Sequence, residues 1–243
     1  MKADIRRVDS CTSTSTLLAG LSDADHGSIV VTDCQTAGRG QRGNSWEAEP
    51  GSNLTFSMLL KPTGIDASRQ FELSMLVALA VADIVEEELD SVEGHPEVAV
   101  KWPNDIYVGN NKISGILIEN TLCGFTIERS IAGIGLNVNQ LRFISNAPNP
   151  VSLISYTGRT TALEPLLERL ATKILKYVDN YDGNSEPLLE RYHSRLWRRD
   201  GEHTFALPDG TQFNASITGV ASDGFLTLSN EHSYAFKEVA FVL

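Results

Sequence analysis

A chain of 243 residues, 42% hydrophobic and 21% charged, has the composition of a folded globular protein and the length for one large domain, or a medium one with a small appendage. Its 31 acidic against 20 basic residues leave a net charge of −11, which opposes broad binding to a phosphate backbone and removes nucleic acid from the expected partners. No run approaches the roughly 18 consecutive apolar residues of a membrane span, and MKADIRRVDS leads into no apolar signal segment, so a soluble, cytoplasmic protein without a membrane partner is expected.

The first 60 residues alternate short strands with polar turns. DIRRV predicts a strand, the Ser/Thr-rich CTSTSTLLAGL a helix start, and SIVVTD and NLTFSMLL two further strands joined by the long loop QTAGRGQRGNSWEAEPGS. Residues 68–90 carry Leu73, Leu76, Val77, Ala80, Val81 and Ile84 at helical spacing, so a mostly buried helix is predicted there. VAVKW, a PND turn, IYVGNNKISGILIENT and FTIERSIAGIGLNVN then read as an antiparallel meander at the centre of a sheet. After a Pro/Asn-rich loop, LEPLLERLATKILKYVDNYD and EPLLERYHSRLW read as two helices covering one sheet face, each with a proline in its first turn, where a missing N–H does no harm. From about residue 200 the pattern becomes short strands separated by PDG and SDG turns, as in a small β-barrel. Cys11, Cys34 and Cys123, an odd number without CxxC spacing or a nearby histidine pair, suggest neither disulfides nor a zinc site and read as buried apolar thiols.

The densest chemical signal is GRGQRG at 38–43. Glycines let backbone N–H groups approach a ligand and guanidinium groups bind carboxylate or phosphate through two parallel bonds, so the loop suits an anion; a solvated turn with incidental arginines is the plain alternative. As a dinucleotide fingerprint the string fails, because a strand follows it where a helix N-terminus should hold the pyrophosphate. No Gly-Lys-Ser/Thr Walker ending and no kinase HRD or DFG occurs either. A second signal is KWPNDIYV at 101–108 followed by NKISGILIE at 111–119, which sets Lys101 and Trp102 at a strand end, Asn104 and Asp105 on the turn, and Lys112 after it, either reaching a ligand or merely solvated. The third is GIGLNVN at 133–139, where Gly133 and Gly135 weaken a strand unless something approaches the backbone; bulge or packing glycines are the alternative.

GRGQRGNSW, PGSNLTFSMLL, KWPNDIYV, KISGILIE and GIGLNVN stand in the order and spacing found in biotin protein ligases, and AFKEVAFVL resembles the end of their small C-terminal barrel. The resemblance implies an α+β fold: a mixed or antiparallel sheet with helices on one side over residues 1–195, and an SH3-like barrel over 196–243. It also implies an ATP-dependent enzyme that converts biotin and ATP, with Mg²⁺ on the phosphates, to biotinyl-5′-AMP and then biotinylates a biotin carboxyl carrier domain. By the same resemblance Ser13, Thr14 and Gln35 contact the biotin ring; Gly38, Gly115, Gly133 and Gly135 line its slot; Arg39 and Lys112 are catalytic and touch both substrates; and Gln41, Arg42, Trp46, Asn104 and Asn137 lie on the ATP or adenylate side. Trp46 reads equally as a core anchor or as a lid. Position 41 carries glutamine where the family commonly has arginine, and Ser15 stands where it usually has asparagine. No metal ligand set is expected, and monomer and homodimer both remain open. A lipoate or octanoyl ligase shares the general fold, but its RRxxGGG-type segment is missing, and intact Arg39 and Lys112 argue against a catalytically silent sensor. With Ser13-Thr14 inside the first 15 residues, no N-terminal helix-turn-helix is expected.

Overall fold

Strand periodicity decides what each face of the sheet carries. On β3 (Leu54–Leu60), Leu54, Phe56, Met58 and Leu60 enter the main core while Thr55, Ser57 and Leu59 point the other way. The structure, a computed structural model, describes residues 4–40, 46–144 and 149–242. It contains a seven-stranded sheet in the order β1-β2-β3-β7-β6-β5-β4. Its strands besides β3 are β1 (Asp4–Cys11), β2 (Ser28–Gln35), β4 (Val98–Lys101), β5 (Asp105–Val108), β6 (Asn111–Cys123) and β7 (Thr126–Leu136). The β1–β2 pair is parallel and every other neighbouring pair antiparallel, so the sheet is mixed. The predicted meander is therefore the half from β7 to β4, running from the sheet's middle to one edge.

A short helix, α1 (Thr14–Ala19), crosses over between the parallel strands and covers the face opposite the main core, packing Leu18 on Val30, Leu59 and Ile131. The main core belongs to α2 (Phe71–Leu89), which is apolar nearly all round because it is sandwiched: the sheet lies on one side and α4 (Leu163–Asp179) on the other. Each fully buried Leu, Ile or Met of α2 contributes about 1.5–3 kcal/mol relative to exposure. Glu72, fully buried on α2, is compensated by hydrogen bonds donated by Tyr181 Oη (2.7 Å) and Ser185 Oγ (2.5 Å) and by Arg69 at 3.3 Å. Burial and the bond to Glu72 push Tyr181 up to about 12. The two predicted helices are present as α4 and α5 (Ser185–Ser194), but both dock chiefly on α2, forming an outer layer rather than covering the sheet directly. A five-residue helix, α3 (Leu153–Thr157), carries no sequence pattern long enough to be foreseen. The cysteines depart from expectation: Cys11 and Cys34 are half-buried near strand ends and Cys123 is exposed at the β6–β7 hairpin.

The tail folds as two three-stranded antiparallel sheets, β10-β11-β12 and β13-β8-β9, a small unit consistent with the SH3-like expectation. Its strands are β8 (His203–Ala206), β9 (Gln212–Ala215), β10 (Ile217–Val220), β11 (Leu226–Leu228), β12 (Ser233–Tyr234) and β13 (Ala240–Phe241). Its contacts with the larger unit include two at the SDG turn. Trp102 Nε1 donates to the Gly224 carbonyl at 2.9 Å, and the Phe71 ring lies so close to Gly224 (φ +94°) that a Cβ there would meet Cδ2 at 2.8 Å. Only glycine satisfies both demands of the SDG turn.

Candidate active site

Antiparallel register aligns one row of residues across five strands: Thr55 on β3 opposite Gly135 on β7, Gly135 opposite Gly115 on β6, Gly115 opposite Asp105 on β5, and Asp105 opposite Lys101 on β4. All five line a cavity of about 310 Å³ on the face that α1 partly covers, closed on the far side by Phe236, Lys237, Val239, Ala240 and Phe241 of the tail. The adjoining row runs Ser57–Gly133–Leu117. The cavity floor is thus glycine where the strands are central and charged where they approach the β4 edge.

The central glycines make room for Trp46. A Cβ on Gly135 would lie 2.1 Å from Trp46 Cε2, and one on Gly115 3.1 Å from Cζ3, so the indole rests on bare backbone. Trp46 Nε1 is buried without a hydrogen-bond partner among the described residues, as is Thr55 Oγ1 beneath it. Two orphaned polar atoms in one cavity are groups a ligand can satisfy. Gly38 acts one step back: a Cβ there would strike the Trp46 carbonyl oxygen at 2.6 Å, and Trp46 N donates to the Gly38 carbonyl at 3.1 Å, pinning the two ends of the loop between them. Gln41 and Arg42 lie outside the described residues.

At the β2–β3 end the groups are uncharged. The first turn of α1 buries Ser13, Thr14 and Ser15. Gln35 Oε1 accepts from Thr14 N (2.8 Å) and Thr14 Oγ1 (3.2 Å), while Ser57 Oγ stands 2.7 Å from Thr14 Oγ1 and 2.9 Å from Ser15 Oγ. Gly133, beside Ser57, leaves no more than 3.0 Å between a would-be Cβ and Ser15 Oγ. The Gln35 amide NH₂ and the Ser13 hydroxyl are not drawn into this network and line the cavity.

At the other end the cations are largely spoken for. Arg39 makes a two-bond pair with Glu119 (3.2 and 2.9 Å), both side chains about half exposed, and Lys112 Nζ sits 2.7 Å from Asp105 Oδ1. Lys112 is also 5.8 Å from the centre of the Trp46 ring. Lys101 donates to Tyr107 Oη at 2.9 Å above the rings of Tyr107, Trp197 and Phe241. Burial pushes the Lys101 ammonium down from its ordinary value and the Tyr107 phenol up.

The two asparagines singled out in the sequence serve the backbone. Asn104 lines the cavity, but its amide donates to the Ile116 carbonyl at 2.6 Å and locks the PND turn onto β6. Asn137, 3% exposed, does not line the cavity: β7 ends at Leu136, the chain turns off the sheet, and Asn137 Nδ2 donates to the Val151 carbonyl. Thr55 and Ser57 are cavity or network residues that motif reading passed over, although parity along β3 marks them, and Lys101 and Asp105, read within KWPND only as strand-end and turn residues, line the cavity as well. Among the described residues no group of three or more His, Cys, Asp or Glu side chains could hold a metal ion.

An α+β fold with a mixed sheet, a glycine-floored slot and a small antiparallel tail over its mouth is the biotin ligase catalytic fold: the solved biotin protein ligase from Aquifex aeolicus in complex with biotin and ATP superposes with a TM-score of 0.79, covering 98% of this chain and 97% of that one at 22% identity. Residues 6–137 match the Biotin/lipoate A/B protein ligase family, and the chain belongs to it. A biotin–acetyl-CoA-carboxylase ligase from Paracoccus denitrificans is 28% identical over 236 residues, 92% of each chain. The bifunctional ligase/repressor BirA of Bacillus subtilis is 36% identical over 119 residues, 49% of this chain and 35% of that protein. The chain thus matches about a third of the length of that relative.

Proposed function

We propose that this protein is an ATP-dependent biotin protein ligase: it activates biotin with MgATP to biotinyl-5′-AMP, releases pyrophosphate, and transfers the biotinyl group to a lysine of a biotin carboxyl carrier domain. The observation that carries the proposal is one continuous cavity leading from uncharged hydroxyls and Gln35, across a glycine floor under Trp46, to Lys112, Asp105 and Lys101. A neutral ring with a carboxylate tail and a polyphosphate needs that gradation of polarity. The Paracoccus relative, a biotin–acetyl-CoA-carboxylase ligase, and the Aquifex ligase, solved in complex with biotin and ATP, support the same reading.

In the first half-reaction a biotin carboxylate oxygen attacks the α-phosphorus while the bond to pyrophosphate breaks. Two anions must be held together, so fixed positive charge is the main requirement, and no covalent enzyme intermediate is needed. Lys112, on the cavity floor, and Arg39, at its mouth, supply that charge in this reading, each exchanging a carboxylate of the protein for one of the substrates. Mg²⁺ enters as part of the MgATP substrate. In the second half-reaction the carrier amine attacks the mixed anhydride's carbonyl carbon, AMP leaves, and the amine proton is released. Water would hydrolyse the anhydride, so the 38–46 loop and Trp46 are assigned the covering role. Residues 1–195 are proposed to hold biotin and ATP, with 196–243 closing the nucleotide side. Arg42 is proposed to supply the charge that Gln41 lacks; Arg42→Ala should then release biotinyl-AMP about tenfold faster, a loss of about 1.4 kcal/mol.

The test is incubation with biotin, MgATP and an acetyl-CoA carboxylase carrier domain, read by intact mass. A carrier gaining one biotinyl group is expected. An unmodified carrier together with absent biotin-dependent pyrophosphate exchange would leave a silent binding protein, and modification by lipoate or octanoate in place of biotin would move the chain to the other branch of its family.

A further inference from the structure

We infer that Lys101 docks the distal phosphates of the nucleotide, the part that departs as pyrophosphate; the inference rests on the ligase reading and locates one end of its substrate. Among the described residues three cations line the cavity outside the tail, and two of them are matched by carboxylates, Arg39 by Glu119 and Lys112 by Asp105. Lys101 has no carboxylate within ion-pair distance among the described residues. An ammonium carries three N–H donors; the Tyr107 hydroxyl takes one, and the aromatic faces around it accept no conventional hydrogen bond. Two donors on a half-buried cation are left at the cavity wall, an arrangement that is costly unless an anion completes it.

Position supplies the chemical class. From Thr55 to Lys101 the row makes four inter-strand steps, about 19 Å at about 4.8 Å each. A ligand whose ring lies at the β3–β7 end and whose reacting atoms meet Lys112 on β6 therefore reaches β4 only with what lies beyond the α-phosphate. Phosphoryl oxygens spaced along a chain suit a three-donor point charge. The burial that lowers the Lys101 pKa also means that an incoming polyanion gains more there than at a hydrated lysine.

The closing experiment titrates the whole protein with ATP, AMP and pyrophosphate, comparing wild type with Lys101→Met and Lys101→Arg. Lys101→Met should raise Kd for ATP and pyrophosphate about tenfold or more, the loss of one charge-assisted bond, and leave AMP within about twofold, while Lys101→Arg restores most of the loss. Unchanged pyrophosphate and ATP binding, or equal weakening of AMP, overturns the inference. Should Lys101→Met misfold, reductive methylation of wild type replaces it: pyrophosphate should protect Lys101 and AMP should not, and equal labelling with and without pyrophosphate overturns the inference. Wild type that makes no biotinyl-AMP from biotin and MgATP removes the ligase reading, whereas wild type that makes it with a Lys101→Met protein binding pyrophosphate normally removes this inference alone.

Discussion

At the β2–β3 end of the cavity, Thr14, Ser15, Gln35 and Ser57 are linked by hydrogen bonds of 2.7–3.2 Å and carry no charge, with the Ser13 hydroxyl beside them. At the β4–β5 end, Lys101, Asp105 and Lys112 crowd the same floor with ionisable groups, two of them paired at 2.7 Å. The first arrangement is held by hydrogen bonds among its own members and keeps the Gln35 amide NH₂ and the Ser13 hydroxyl at the cavity, so on the proposed function it would read shape and hydrogen-bonding pattern with little reorganisation. The second holds Lys112 against Asp105 and leaves Lys101 without a carboxylate among the described residues, so in the proposed reaction a substrate anion would replace that one pair and complete the other cation. On the proposed function, binding and chemistry are separable in this cavity: variants at one end should alter biotin affinity, and variants at the other the phosphoryl step.

The largest expected effect comes from the charged end. Lys112→Ala should lower the rate of biotinyl-AMP formation about a hundredfold to a thousandfold, as removal of a group that stabilises developing charge does, with biotin affinity much less changed. Pyrophosphate exchange within about tenfold of wild type would take Lys112 out of that role. The floor between the two ends comes next. Gly135→Val places side-chain atoms where Trp46 now lies and should cost about 1–3 kcal/mol of stability through overpacking, together with weaker biotin binding. An unchanged unfolding temperature and biotin Kd would mean that the indole is free to sit elsewhere.

Ser57→Ala sharpens the comparison at the neutral end. It removes the hydroxyl shared by Thr14 and Ser15 and should cost about 1–3 kcal/mol, read in calorimetry as weaker biotin binding with ATP binding unaltered. A parallel loss of ATP affinity would contradict the separation of the two ends. The smallest effect is expected from Glu119→Gln. Its pair with Arg39 is about half exposed, so stability should change by no more than about 1 kcal/mol, while Arg39 is released toward the substrate and biotinyl-AMP escapes more slowly. Faster escape would show instead that Glu119 orients Arg39 productively.

Period-two alternation along β3 and β7, the apolar helix over 71–89, the prolines in the first turns of α4 and α5 and the Gly-containing turns of the tail are local signals, readable because each is set by a residue and its near neighbours. The motifs also placed Ser13, Thr14, Gln35, Arg39, Lys112 and the glycines at 115, 133 and 135 around what proves to be one cavity. Asn137 escaped that logic. It keeps the parity of Gly133 and Gly135, but the strand stops at Leu136 and the following residue turns to Val151. Lys101 was set at its strand end without a site role for the opposite reason: its motif drew attention to Asn104, whereas cross-strand register brings Lys101 onto the glycine row.

By itself the sequence therefore determined nearly all of the elements, through short-range pattern, and, through co-linear motifs, the family resemblance and the motif residues around the cavity. The tertiary structure alone decided the partners: Arg39 with Glu119, Lys112 with Asp105, Trp46 on Gly135 and Gly115, and the tail on Trp102. Those contacts depend on which strands pair and in what register, a choice made by burial of the whole sheet against α2 rather than by any one segment.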